Sequence, residues 1–70
     1  MLARDQVKVL QAGFMIIRER EDVRHEGISI IVVKTNVNKE WRNLKTGFKS
    51  KAARRREMDR LLKDRMVIED

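Results

Sequence analysis

The apolar stretch ISIIVVKT, residues 28–35, constrains the fold of this chain more than any other part of the sequence. Its β-branched side chains and its short length favour a strand over a helix. Successive side chains of a strand point to opposite faces, so Ile30 and Val32 would lie on one face and Ile31 and Val33 on the other. Both faces of the sheet that contains this strand must therefore be covered.

The residues before this stretch predict a helix and a further strand. In LARDQVKVLQAG, Leu2 or Ala3, Val7 and Leu10 recur at helical spacing, and Gly13 follows where a left-handed cap would end the helix. In FMIIRERE, the aromatic and β-branched content favours a strand. Phe14 and Ile16 would lie on one face of it and Met15 and Ile17 on the other, so apolar side chains again occupy both faces. The charged stretch EDVRHEG then predicts the turn of an antiparallel hairpin.

The residues after it predict a third strand and a longer helix. EWRNLKT is a weaker strand pattern closed by Gly47, and Ser50 is a favourable N-cap for the helix KAARRREMDRLLKDR. In the final MVIED, Val67 and Ile68 would pack back on the domain or pair with a neighbouring chain. The prediction is one domain, residues 1–70, with an α+β fold in the order α-β-β-β-α: a three-stranded antiparallel sheet with N- and C-terminal helices.

Two arrangements would cover both faces of such a sheet. The two helices lie on opposite faces, or they share one face while the other face is buried in a homodimer. A chain of 70 residues without cysteine has a thin core and no disulfide to support it. We therefore expect self-association, with a homodimer as the predicted state.

The composition argues against several classes of function. With no cysteine and one histidine, His25, the chain lacks the ligands of the usual structural zinc sites. It has no Ser-His-acid spacing and no glycine-rich phosphate loop, so we predict no catalytic residue, no cofactor and no small-molecule substrate. No apolar run approaches the roughly 18 residues that cross a bilayer, which predicts a cytoplasmic protein without a membrane partner.

Positive charge is concentrated in the second half of the chain. Residues 39–65 contain eleven Lys and Arg against four Asp and Glu, whereas residues 1–38 contain six against five. A clustered positive field attracts phosphates and releases their counterions, which favours DNA or RNA as a partner. The alternative explanation is that the net charge of +6 serves solubility.

The helical phase of the last helix leaves two arginines, Arg54 and Arg55, compatible with either explanation of the charge. At about 100° per residue, the apolar stripe around Met58 continues one turn earlier onto Arg54 and Arg55. Their stems would lie along the sheet while their guanidinium groups pair with Glu19 or Glu21. In the other interpretation, the first turn of the helix projects beyond the core and presents both arginines to phosphates.

The segment from Trp41 through GFKSKAARRREMDRLL resembles part of the arm-type DNA-binding domain of tyrosine recombinases, the phage-integrase-like family. The resemblance implies a β-β-β-α module whose sheet enters the major groove of DNA, with basic residues on the phosphates. Two sets of positions follow from the resemblance: Gly47, Phe48, Ser50 and Lys51 for the turn and helix cap, with Phe48 packing inward, and Arg18, Arg20, Lys34, Arg42 and Lys45 for DNA.

The chain departs from the pattern of that family in two ways. It has an additional first helix, and its sheet has apolar residues on both faces, where a DNA-reading face would be polar. A recombinase arm domain also belongs to a longer protein with a catalytic domain. The resemblance therefore implies a small stand-alone protein of mobile-element type.

These patterns together predict a small basic protein that binds nucleic acid and is not an enzyme. The predicted contacts lie on the third strand and at the start of the last helix: Arg42, Lys45, Lys49, Lys51, Arg54 and Arg55. Trp41 would anchor the core or an interface, with stacking on a base as the alternative. The alternative function is that of a structural or interaction protein that self-associates through its sheet face and terminal helix, with no nucleic-acid role.

Overall fold

The computed structural model of the chain describes residues 1–21, 29–37 and 39–70. These residues form two helices and four strands, which confirms the α+β class. The elements in chain order are α1 (Ala3–Gln11), β1 (Met15–Glu21), β2 (Ser29–Lys34), β3 (Arg42–Phe48), α2 (Lys51–Leu61) and β4 (Val67–Glu69). The predicted hairpin turn and its histidine, His25, lie outside the described residues.

The sheet has four strands in the order β3-β2-β1-β4, and the prediction of three antiparallel strands was incomplete. β1 pairs antiparallel with β2, and β2 pairs antiparallel with β3. β4 runs parallel to β1, with Met15 opposite Val67. Its three residues are too few to produce a recognisable alternation. Backbone hydrogen bonds flank β4 at both of its ends: the Met15 N–H donates to the Met66 carbonyl, and the Asp70 N–H donates to the Ile17 carbonyl.

α1 and α2 lie on opposite faces of this sheet. The Glu69 carboxylate accepts hydrogen bonds from Arg55 of α2, whereas the adjacent Asp70 carboxylate accepts one from Gln6 of α1. Consecutive residues of an extended chain point to opposite faces, so the two helices cover different faces. The single chain thus adopts the first of the two arrangements, and residues 29–32 of β2 are buried.

The core on the α2 face is built around Met58. This side chain is fully buried against Ile17 of β1 and Ile31 of β2. Around these three lie partly buried side chains from β2, β3, α2, β4 and the residue after α2: Val33, Phe48, Leu61, Leu62 and Val67. The helix is positioned by its predicted N-cap, since the Ser50 hydroxyl accepts a hydrogen bond from the Ala53 N–H at 3.1 Å.

The face that α1 buries differs from the predicted apolar stripe. Leu10 is buried, but Val7 remains 53% exposed, and the buried residue one turn before Leu10 is Gln6. The expected cap is present, because Gly13 has φ +94° and its N–H donates to the Leu10 carbonyl. The predicted stripe is wrong at Val7 because Gln6, which donates a hydrogen bond to Asp70, faces the sheet instead.

β3 begins and ends later than the sequence pattern predicts. Gly47 lies inside the strand with φ +77° instead of closing it. Ile31 pairs with Lys45 and Val32 with Asn43, so an additional residue stands between these pairs and marks a β-bulge. Apart from Phe48, every residue of β3 is exposed, as expected for a bulged strand at the sheet edge.

Met58→Ala should lower the free energy of unfolding by about 2–5 kcal/mol, because it removes a fully buried side chain and leaves a cavity under α2. Urea unfolding followed by circular dichroism measures the change. Leu44→Ala, at a residue that is 40% exposed, is the matched control and should change stability by less than about 0.5 kcal/mol. Equal effects of the two substitutions would contradict this description of the core.

Candidate nucleic-acid interface

Residues 41–56 contain seven Lys and Arg and no Asp or Glu. The fold distributes these side chains over three neighbouring parts of the chain. Arg42 and Lys45 lie on β3, Lys49 precedes the N-cap, and the others lie on the first turns of α2. Because Arg42 and Lys45 pair with Val33 and Ile31, they lie on the same sheet face as α2. The predicted contacts on β3 and on α2 therefore lie on the same side of the sheet, but they differ in what they contact.

Arg54 is buried beneath α2 and is only 8% exposed. Its Nη1 donates to the Arg20 carbonyl at 3.1 Å and to the Glu21 carboxylate at 3.3 Å. Its Nε lies 3.7 Å from Glu19 Oε1, and both of these buried atoms lack a hydrogen-bond partner among the described residues. Arg54 therefore attaches α2 to the end of β1, as in the interpretation that pairs it with Glu19 and Glu21.

Arg55 is engaged by carboxylates on β4, on α2 and on β1. It donates two hydrogen bonds to Glu69, at 2.8 and 3.0 Å, and lies 3.0 Å from Asp59 one turn later in α2. Glu19 is 3.7 Å away. The hydrogen bonds to Glu69 and the nearby negative charges raise the pKa of the Arg55 guanidinium. This side chain therefore connects α2 to β4, and its charge is matched within the chain.

Lys45 is the third predicted contact with an internal partner. Its ammonium lies 3.4 Å from Glu57 of α2, which also accepts a hydrogen bond from Arg60. Burial by itself raises the pKa of Glu57, but the hydrogen bonds and charges of Arg60 and Lys45 outweigh it and hold this pKa below its ordinary value. Glu57 thus stays ionised and offsets part of the positive charge between β3 and α2.

Three predicted contacts remain exposed: Arg42, Lys49 and Lys51. None of them forms an ion pair with a carboxylate of the described residues. Arg56 is exposed and unpaired in the same sense, although it was not among the predicted contacts. Its helical phase, about 160° from Met58, already indicated that it faces outward. These four side chains form what we call the cationic edge.

The basic residues on the other sheet face serve the structure instead. Arg18 and Lys34 lie over the Trp41 ring, 4.5 and 4.8 Å from its centroid. Arg18 Nε also donates to Asp70 at 2.7 Å, and Lys34 donates to Gln6 at 3.0 Å. Trp41 is therefore partly buried, and its ring contacts two cationic side chains of the sheet.

Asp70 is the centre of a polar cluster between α1 and the sheet. Its side chain is 7% exposed and accepts hydrogen bonds from Arg18 and from Gln6, the latter at 2.8 Å. Desolvation raises the pKa of this carboxyl, but the hydrogen bonds and the charge of Arg18 outweigh it and lower the pKa below its usual value. This cluster is why a glutamine occupies a buried position of α1.

Comparisons with protein-family models, curated proteins and solved structures found no match to this chain. The resemblance to recombinase arm domains remains a prediction. Any functional assignment must therefore depend on the geometry of the chain itself.

Two further features of the described residues bear on the site. Among residues 1–21, 29–37 and 39–70, no group of three or more His, Cys, Asp or Glu side chains is placed to hold a metal ion. In the same residues, no helix is long and apolar enough to cross a membrane.

Asp70→Asn should make the melting temperature less dependent on pH in the acid range. Because the pKa of Asp70 is lowered on folding, its contribution is fully present above the unfolded value of about 3.9 and is lost as the pH falls through the folded value. The difference between wild type and variant should therefore be largest above about pH 5 and should narrow below about pH 4. Asp59→Asn, at an exposed carboxylate, should give a smaller difference. A constant difference from pH 3 to 7 would contradict the proposed role.

Arg54→Ala should destabilise the fold by about 1–3 kcal/mol, because it leaves Glu19 and the Arg20 carbonyl without this partner in a mostly buried location. Arg56→Ala removes the same side chain from an exposed position and should cost less than about 0.5 kcal/mol. Chemical denaturation of both variants makes the comparison. Equal stabilities would show that Arg54 does not secure α2.

Proposed function

We propose that this protein is a non-enzymatic, cytoplasmic nucleic-acid-binding protein whose cationic edge contacts the phosphates of DNA or RNA. One observation carries the proposal. Within the acid-free segment 41–56, four exposed cations have no carboxylate partner among the described residues, although three neighbouring cations do. These four free charges lie together at the β3 edge and the start of α2.

The division between paired and free cations supports a phosphate contact over a purely solubilising role. Charges that only improve solubility would be interspersed with acids, as they are on much of a typical surface. Here the acids pair with the inner side of the segment, through Glu19, Glu57 and Glu69, and leave its outer side positive. Phosphates are the common polyanion that such an outer side would attract.

The proposed contacts differ from the predicted set in three respects. Arg54 and Arg55 are omitted because both are engaged by carboxylates of the sheet. Arg56 is added. Lys45 is not included in the cationic edge, because the Lys45 ammonium would have to leave Glu57 to reach a phosphate. The edge of β3 and the first turns of α2 remain the proposed location.

Self-association through a sheet face is the second candidate function. In this chain each face carries one helix, so the uncovered face that motivated the homodimer is absent from the described structure. The sheet has two edge strands, β3 and the three-residue β4, and at β3 an antiparallel copy would bring lysines and arginines close to one another. Homodimerisation therefore remains a proposal of lower rank.

A salt-dependent titration with labelled DNA and RNA tests the proposal. Binding to duplex DNA should weaken with salt with a log–log slope of about 0.9 per phosphate contact, which gives a slope near 3.6 for four contacts. The double variant Lys49→Gln with Lys51→Gln should weaken binding and lower the slope by about two. Fluorescence anisotropy at several salt concentrations provides both quantities.

Arg4→Gln with Lys8→Gln is the matched control, because it removes the same charge from exposed positions of α1. It should leave the slope nearly unchanged if the contacts lie at the cationic edge. Equal losses in both double variants would indicate a response to net charge alone. Absence of binding at low salt would refute the proposal.

A further inference from the structure

A groove on the α1 side of the molecule is separate from the cationic edge. It has a volume of about 190 Å³ and lies between α1 and the end of β2 with the residues that follow it. The α1 wall is mostly apolar and includes Ala3, Val7 and Leu10, and the opposite wall includes Lys34 and Lys39. The three apolar residues follow the spacing i, i+4, i+7, which forms a stripe along about two turns of helix.

Part of this stripe is open to solvent, although Leu10 lies on the buried side of the helix. Leu10 is 4% exposed, but Val7 is 53% exposed at the mouth of the groove. Val37, between the groove residues Asn36 and Lys39, is 99% exposed. Val7 therefore leaves apolar surface at the mouth of the groove, which a partner with an apolar face would cover.

The rim of the groove is positively charged. Lys34 and Lys39 stand on one wall. On the helix, Arg4 and Lys8 lie about 60° and 100° from Val7, whereas the acid of that helix, Asp5, lies about 160° away. No carboxylate of the described residues pairs with Arg4, Lys8 or Lys39. An apolar floor with a cationic rim is complementary to an apolar stripe bordered by acids.

The shape and the charge of the groove favour one of three possible partners: a lipid surface, a second copy of this chain, or an amphipathic helix. A lipid surface is flat and would leave a concave floor between α1 and β2 unfilled. A second copy of this chain would bring its own positive rim and its net charge of +6 against the first. A short amphipathic helix with an acidic polar face satisfies both the shape and the charge, as in other helix-in-groove complexes.

We propose that this groove binds a short acidic amphipathic helix of a partner protein, whose apolar side chains pack on Ala3 and Val7. The acids that flank the partner's apolar stripe pair with Arg4, Lys8 and Lys39. Because α1 and α2 lie on opposite faces of the sheet, this site and the cationic edge can be occupied together. The site does not depend on nucleic-acid binding.

A designed peptide serves as the probe. It is a helical peptide of about four turns, with leucines at i, i+3, i+4 and i+7 and glutamates at most other positions. A second peptide has the same leucines with lysines in place of the glutamates. Titration into ¹⁵N-labelled protein, followed by amide chemical shifts, should show binding of the acidic peptide alone, with shifts concentrated at α1 and at residues 34–37 and 39.

Val7→Glu should weaken binding of the acidic peptide by about tenfold or more, because it places a carboxylate in the apolar floor opposite the peptide's acids. Leu44→Glu is the matched control, since it alters another exposed aliphatic residue outside the groove, and it should change affinity by less than about twofold. If the Val7→Glu variant does not give the native amide spectrum, two variants at exposed lysines replace this comparison. Lys39→Glu, in the groove, should weaken binding, and Lys63→Glu, outside it, is the control.

Four results would overturn the proposal. The first is equal binding of both peptides, and the second is a set of shifts located on α2 and β3. The third is a concentration-dependent dimer in sedimentation that Val7→Glu dissociates, which would assign the groove to a second copy. The fourth is binding to anionic phospholipid vesicles that Val7→Glu abolishes, which would assign it to a lipid surface.

Discussion

The two faces of β2 both carry large apolar side chains, and the chain supplies one helix to each face. Four consecutive residues of this strand, Ser29–Val32, are buried. Because their side chains alternate between the two faces of the sheet, protein must cover both faces. α2 meets the requirement with an apolar core around Met58, whereas α1 meets it with Leu10 and a polar cluster. The positions of the helices, and the surfaces they leave open, follow from this constraint.

Because α2 must cover one face of the sheet, the three consecutive arginines at its start have different roles. The helix crosses β1 and β2, so its inward side faces Glu19 and Glu21 at the far end of β1. Arg54 and Arg55 each lie 3.7 Å from the Glu19 carboxylate, so their positive charges are matched at this end of β1. Arg56 projects from the opposite side of the helix. The run thus contains side chains that secure the helix and a side chain that is free for another molecule.

The sequence predicts those parts of the fold that local patterns determine. The strand within residues 28–35, the Ser50 cap and the glycine cap at Gly13 follow from side-chain branching, hydrogen bonding and backbone freedom. The structure confirms both caps and a strand at Ser29–Lys34. β4 could not be predicted, because three residues contain no measurable period and their pairing depends on a distant strand. Helical phase placed Arg54 on the extension of the apolar stripe and suggested Glu19 or Glu21 as its partner, but it left open whether the core reaches that far. The structure shows that it does, with both acids beside Arg54.

The groove on α1 has its origin in one departure from the apolar pattern. A helix that buried Ala3, Val7 and Leu10 would present no apolar groove to solvent. In this chain Gln6 reaches Asp70 and receives a hydrogen bond from Lys34, and these contacts turn the helix so that position 6 faces the sheet. Val7, about 100° further around the helix, is thereby rotated outward. A buried polar contact that holds β4 in place therefore also creates the apolar surface that we assign to a partner.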